Sequence, residues 1–310
     1  LRIALWIVAG VLVAALAVLG VWAWAPDRSR AELEASYLGP ADEYREVSGV
    51  RLHLRDSGPK DAPPILLLHG FGSSLQTWEP WAQELAKHYR VIRLDLPGAG
   101  LSGPDPRDDY SDARTLQVLD ALLDELGIAR ATMVGNSLGG RLAWKYAATR
   151  PRRVARLILI SPDGFASPGF EYGKQPEIPL TLKLMTIFLP KSLLRMSLEP
   201  AYGDKSHLSD ALVTRYYDLL LAPGVRAAML ARMQQSVLVE PTALLGRIEA
   251  PTLLLWGERD RMIPFANSRD YLQAIPHSRL VSFPQLGHVP HEEDPATSLA
   301  PVLTFLNAGS

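Results

Sequence analysis

Residues 135–140 read Gly-Asn-Ser-Leu-Gly-Gly, between an apolar run at 130–134 and a helical pattern over 138–149. A serine at the joint of a buried strand and a helix sits on a sharp turn with its hydroxyl exposed, so the spacing G-x-S-x-G nominates Ser137 as a nucleophile. Gly135 and Gly139 are expected where a side chain would strike the neighbouring strand and helix. Five residues of pattern can arise by chance, so the nomination depends on what surrounds it.

A serine hydroxyl is a weak nucleophile and needs a base within hydrogen-bond reach and a third group to orient that base. After the last apolar run, which ends at Phe283, comes Pro284-Gln285-Leu286-Gly287-His288. His288 is therefore expected on a loop at the strand ends, on the side of Ser137. His291 is the nearest rival, and Pro290 with the following acids places it at the start of the final helix. The orienting acid should follow the preceding strand, where Gly257-Glu258-Arg259-Asp260 lies. Asp260 is the first candidate, Asp163 the alternative and Glu258 the third.

Acyl transfer also needs donors for a developing oxyanion. The backbone N–H of Leu138 supplies one, and the N–H of Phe71, in the loop His69-Gly70-Phe71-Gly72, is the expected second. His69 is read as a brace for that loop. The glycine-rich turn over 95–102 lacks the Gly-Lys-Ser/Thr ending of a phosphate loop and is read as structural.

These residues need a frame. Residues 44–56 alternate as strands, with a hairpin turn at Ser48-Gly49. Continuous apolar runs at 65–68, 91–94, 131–134, 157–160, 253–256 and 280–283 are mostly separated by helical patterns. That order indicates a parallel sheet covered on both faces. Residues 163–247 carry no strand signal and are punctuated by Pro168, Pro176, Pro179, Pro190, Pro200 and Pro223, which suggests a helical cap over the strand ends. Within it, residues 180–198 are notably apolar and are read either as cap packing or as the wall of an apolar tunnel near a membrane. The domains are thus an anchor at 1–26, a charged juxtamembrane helix and linker at 27–43, a core at 44–162 and 248–310, and the cap at 163–247.

The anchor rests on an uncharged run from Ile3 to Ala25, bounded by Arg2 and by Asp27 and Arg28. As a helix it would be about 35 Å long, against a hydrocarbon core of about 30 Å. Trp6, Trp22 and Trp24 lie near its ends, where interfacial aromatics collect. The run is long for a signal peptide, and Pro26 follows the Ala-Trp-Ala that would be cleaved. Flanking charge gives no orientation. The sequence starts at Leu1, so further residues are expected before it. Gly10, Ala14 and Ala17 share one helix face through which two spans could approach, the basis for expecting a homodimer through the transmembrane and juxtamembrane region.

The 310 residues have a net charge of −1 and no cysteine. Nothing in that balance points to nucleic acid, and disulfide or thiolate chemistry is excluded. No acidic loop has EF-hand spacing, so no calcium is expected.

Taken together, His69-Gly70-Phe71-Gly72, the Asp95–Ser102 turn, the Ser137 corner, Gly257-x-x-Asp260 and Gly287-His288 resemble the α/β-hydrolase superfamily over nearly all of residues 44–308. The resemblance implies an α/β-hydrolase fold, a Ser137–His288–Asp260 triad, an acyl-enzyme and no cofactor. With the amino-terminal span the chain is similar to membrane-anchored monoacylglycerol lipases and, more so, to single-span bacterial phospholipases A. That implies a lipid-directed esterase or lysophospholipase of the inner membrane facing the periplasm, with membrane lipid as substrate and fatty acid as product. A small-molecule hydrolase, such as one cleaving carbon–carbon bonds, and a non-catalytic binding protein are the other readings. The first of these would need an arginine cluster for its carboxylate substrates.

Overall fold

The computed structural model describes residues 2–40, 42–166 and 171–308. Pro168 lies outside the described residues. Eight strands form one sheet: β1 (Asp42–Val47), β2 (Val50–Ser57), β3 (Pro64–Leu68), β4 (Arg90–Leu94), β5 (Ala131–Asn136), β6 (Val154–Ile160), β7 (Thr252–Gly257) and β8 (Ser278–Phe283). Their order is β1-β2-β4-β3-β5-β6-β7-β8. β1 and β2 pair antiparallel, and β2 joins β4 antiparallel. The other strands run parallel, from β4 through to β8. The chain order β3, β4, β5 reverses the direction of growth of the sheet, and ligand sites in such sheets lie at the carboxyl ends of the strands beside that reversal.

The central strands are apolar throughout because both faces are covered. Helices α4 (Asp112–Glu125) and α5 (Leu138–Thr149) pack on one face, and their Leu119, Leu122, Leu142 and Tyr146 are buried there against Met133 and Leu157. On the other face, α3 (Glu79–Leu85) and the carboxyl-terminal helix (Pro295–Asn307) close over Ile65, Val134 and Ile158 with Trp81, Leu85, Leu299 and Val302. The hairpin turns at Ser48 and Gly49, both with positive φ, at 53° and 82°.

Between β6 and β7 the described residues form no strand of the sheet: the α-helices are Leu180–Leu184, Lys191–Leu198, Asp210–Leu220, Val225–Gln235 and the single turn Thr242–Leu245, with short 3-10 turns at Glu199–Ala201 and Lys205–His207. No residue of the apolar stretch 180–198 is among those that line the cavity containing Ser137. The stretch breaks into two short helices with Pro179 and Pro190 at their amino-terminal caps. Leu180, Leu184, Ile187, Leu193 and Met196 are exposed, while Leu189 and Leu194 are buried with Ala25, Leu33 and Leu219 in a small separate core.

The reason is the amino-terminal segment. Helix α1 (Arg2–Ala23) is followed by a short extended stretch that hydrogen-bonds to the break between those two cap helices. The Ala25 N–H donates to the Ile187 carbonyl at 2.9 Å, and the Leu189 N–H donates to the Ala23 carbonyl at 2.9 Å. Arg28 then pairs with Asp218 at 2.8 Å, and Tyr37, at the end of α2 (Arg30–Tyr37), donates to the same carboxylate at 2.8 Å. Within α1, residues Leu5–Ala23 are long and apolar enough to cross a membrane, and among the described residues none of that span is buried in the protein.

Candidate active site

β5 delivers Ser137 into a conformation that L-residues seldom occupy, φ 53° and ψ −118°. Such backbone strain persists only where the surroundings enforce it. Here the Ser137 N–H donates to the Ile160 carbonyl at 3.0 Å, while the Ser137 carbonyl accepts from Arg141 at 2.9 Å and from Asp163 at 3.1 Å. Glycines close the corner. A Cβ on Gly139 would overlap the Leu68 carbonyl, and one on Gly135 would overlap the Gly139 carbonyl. Helix α5 therefore starts at Leu138, packed directly against β3 and β5.

Neither the Leu138 nor the Phe71 backbone N–H has an internal acceptor among the described residues. Both residues border the cavity that holds Ser137, so two unpartnered donors flank the serine, the requirement for stabilising an oxyanion. His69 spans the loop behind them. Its Nδ1 lies 2.8 Å from the Gly70 carbonyl, and its Nε2 accepts the Leu96 N–H at 3.0 Å. Burial lowers its pKa, so it stays neutral in this bracing role. Asp95 holds the next turn by accepting the N–H groups of Leu75 and Leu101, at 2.7 and 2.8 Å.

His288 and Asp260 meet from two other strand ends. Nδ1 of His288 lies 2.8 Å from Oδ2 of Asp260, and both residues are buried. Oδ1 of Asp260 accepts the N–H groups of Met262 and Ile263 at 2.8 and 2.9 Å. The carboxylate is thus fixed by its own loop and leaves Nε2 as the ring nitrogen available to the cavity, which His288 and Ser137 share. No hydrogen bond joins Ser137 to His288 among the described residues; catalytic hydrogen bonds in unliganded sites are often long and tighten on substrate binding. The rival acids are engaged elsewhere: Asp163 pairs with Arg141 at 2.7 Å, and Glu258 accepts from Ser282 at 2.7 Å. His291 is buried and stacked on Trp78, with ring centroids 4.2 Å apart. Burial, followed by the charges of His288 and Arg215, pushes its pKa down to about 3.

Residues that sequence reasoning passed over hold the histidine loop. The Asn136 side-chain amide donates to the His288 carbonyl at 3.0 Å and to Ile160 at 3.2 Å, so the residue before the serine touches the histidine backbone. The His288 N–H donates to the Ala201 carbonyl of the cap at 2.7 Å. Buried Glu293 accepts from Gly287 N–H at 2.7 Å, and from the cap N–H groups of Gly203 and Asp204 at 3.1 and 2.8 Å. Its neighbour Glu292 accepts from Tyr202 and Tyr216 at 2.9 and 2.8 Å and pairs with Arg215. In the sequence the only trace of this is a pair of adjacent acids shortly after His288.

The shared cavity has a volume of about 180 Å³. Met233, Met262 and Ile263 line it with apolar side chains, and Arg141, Arg232, Asp163 and Ser236 line it with polar ones.

Residues 63–295 match the family model described as alpha/beta hydrolase fold. An uncharacterized protein of Mycobacterium tuberculosis is 31% identical over 283 residues, covering 86% of this chain and 82% of that protein. A 2-hydroxy-6-oxononadienedioate/2-hydroxy-6-oxononatrienedioate hydrolase of Comamonas testosteroni is 31% identical over 253 residues, covering 78% of this chain and 86% of that protein. Among solved structures, a membrane phospholipase A superposes with a TM-score of 0.76 at 27% identity, covering 99% of this chain and 98% of its own.

Proposed function

Since the chain belongs to the α/β-hydrolase fold family, we propose that it is a membrane-anchored serine ester hydrolase that releases fatty acids from lipid esters, of phospholipase A or lysophospholipase type. Ser137 Oγ attacks the acyl carbonyl while His288 Nε2 takes its proton, and Asp260 holds the resulting imidazolium. The oxyanion receives the N–H groups of Phe71 and Leu138. Collapse of the tetrahedral species passes the proton to the leaving alcohol and leaves an acyl-enzyme. Water, deprotonated by His288, then releases the fatty acid and restores Ser137.

The lipid part is carried by one observation. The cap that borders the cavity is hydrogen-bonded, through Ile187 and Leu189, to the end of a helix long and apolar enough to cross a bilayer. A site held this close to a membrane suits an amphipathic substrate. The likeness to a membrane phospholipase A over the whole length, amino-terminal helix included, supports the same reading. An inner-membrane location with the catalytic domain in the periplasm belongs to this proposal.

A second reading, hydrolysis of a carbon–carbon bond in a small dienoate, is favoured by the 31% identity to the Comamonas enzyme. One assay separates them. Detergent-purified protein is offered diacyl phospholipid, lysophospholipid, monoacylglycerol, a short soluble ester and a 2-hydroxy-6-oxo-dienoate, with Ser137→Ala as control. Fatty acid release from phospholipid or lysophospholipid, lost in the variant, is the expected result. Turnover of the dienoate alone would establish the second reading.

A further inference from the structure

The polar lining of the Ser137 cavity contains a charge that the proposed chemistry does not use. Arg232, on the cap helix Val225–Gln235, is 5% exposed and lines the same cavity as Ser137 and His288. Its guanidinium donates only to neutral acceptors: Nη2 to the Pro97 carbonyl at 2.9 Å, and Nη1 to the Tyr110 carbonyl at 3.2 Å and Thr115 Oγ1 at 3.3 Å. Among the described residues no carboxylate forms an ion pair with it, and its Nε–H has no internal acceptor although it is not sealed off in the interior. Every other cation of this cluster is matched. Arg141 pairs with Asp163 at 2.7 Å and Asp112 at 3.2 Å, and donates to Ser236 at 3.0 Å. Lys145 takes the remaining side of Asp112 at 2.6 Å. Asp105 also acts on Arg232 but is paired with Arg114 at 2.6 Å, so three carboxylates face four cations, and the one without an ion pair borders the cavity.

A buried cation without a counter-ion is costly, and natural interiors rarely retain one unless a ligand supplies the missing charge. Burial lowers the Arg232 pKa only to about 10, so the group stays charged at neutral pH. Resting on the reading of this cavity as a serine hydrolase site, we propose that Arg232 forms an anion subsite for the substrate. Its ligand is a singly charged oxyanion, a phosphodiester or a carboxylate, carried by the same molecule whose acyl carbon meets Ser137. Asp163 lines the cavity too, but its charge is held by Arg141 and serves to keep that arginine from competing. A neutral glyceride leaves Arg232 unmatched and is the poorer substrate.

Two matched pairs of esters test this on the full chain in detergent. Lysophosphatidylglycerol against the monoacylglycerol of the same acyl chain places a phosphodiester on the alcohol side. Mono-p-nitrophenyl adipate against p-nitrophenyl hexanoate places a carboxylate on the acyl side. The anionic member of one pair is expected to have a kcat/KM at least tenfold higher, and that pair identifies the source of the anion. In Arg232→Gln the ratio is expected to fall to within threefold, and Arg232→Lys should restore part of it. Equal turnover within both pairs, or a preference that survives Arg232→Gln, overturns the subsite. Should Arg232→Gln fail to fold, the ratios of the unmodified protein still decide the first of these points. Absence of turnover of all four esters would instead refute the esterase reading itself.

Discussion

The two halves of the candidate catalytic site are held by different means. On the nucleophile side, Ser137 is fixed by sterics: Gly135 and Gly139 sit against backbone with no room for a methyl group, and the strained turn follows from that packing. On the histidine side, the loop is fixed by hydrogen bonds that reach the cap: His288 donates to Ala201, and Glu293, which accepts from Gly287, also accepts from Gly203 and Asp204. The cap in turn is bonded to the end of α1. A close-packed backbone has one arrangement, whereas a hydrogen-bonded loop can loosen with the element it is tied to. The contrast teaches that any response of this site to its surroundings should enter through the histidine and leave the serine corner unchanged.

The largest expected effect lies where the two halves meet. Asp260→Asn removes the acceptor that fixes the His288 tautomer and should lower kcat by roughly 10⁴-fold with the fold intact, measured by ester turnover and circular dichroism. Gly139→Ala breaks the steric side. The new methyl meets the Leu68 carbonyl, so insoluble protein or a fall in Tm of at least several degrees is expected, in contrast to Asp260→Asn. A Gly139→Ala protein with unchanged Tm and activity would remove the basis of the comparison.

Glu293→Gln loosens the hydrogen-bonded side. The neutral amide accepts more weakly from Gly287, Gly203 and Asp204, and kcat should drop by roughly tenfold with a smaller change in KM, as expected for a lost charge-assisted bond of about 1.5 kcal/mol. As a positioning residue, Glu293 should also shift the pH profile of kcat/KM, a readout that general destabilisation would not move.

The smallest effect concerns stability away from the serine corner, where His53 on β2 meets Asp42 and Asp95. Burial alone would lower the pKa of His53, but its contacts with Asp95 and Asp42 outweigh burial and raise it to about 9. A raised folded-state value contributes stability that is complete below the unfolded value of 6.5 and disappears as pH rises through about 9. Tm should therefore decline between pH 6.5 and 9, and His53→Gln should flatten that decline while lowering Tm at pH 6.5.

How much of this was legible in the sequence follows from chain distance. The serine corner could be read because its determinants are adjacent: Ser137 and its glycines lie within six residues, and the apolar runs on either side declare a buried strand and a helix. The parallel sheet and the α/β-hydrolase class were legible for the same reason, since each strand carries its own continuous apolar signal. The placement of His288 after the last strand was an inference from strand order. The choice among Asp260, Asp163 and Glu258 required coordinates, because nothing local says which carboxylate turns toward the ring. The supports of the histidine loop were not legible at all. Glu293 and its cap partners are some 90 residues apart, and Asn136 and His288 are 152 apart, so their contact exists only in the fold. The break before Lys191 was announced by Pro190, but the pairing of that break with the end of α1, far away in sequence, was not legible.

The central claim is that Ser137 is a nucleophile activated by His288. Intact-mass analysis of the purified chain after treatment with a fluorophosphonate, followed by peptide mapping, tests it most directly. One adduct per chain on Ser137 is expected, absent in Ser137→Ala and formed at least a hundredfold more slowly in His288→Gln. An unmodified protein, or an adduct on any other residue, would contradict the account.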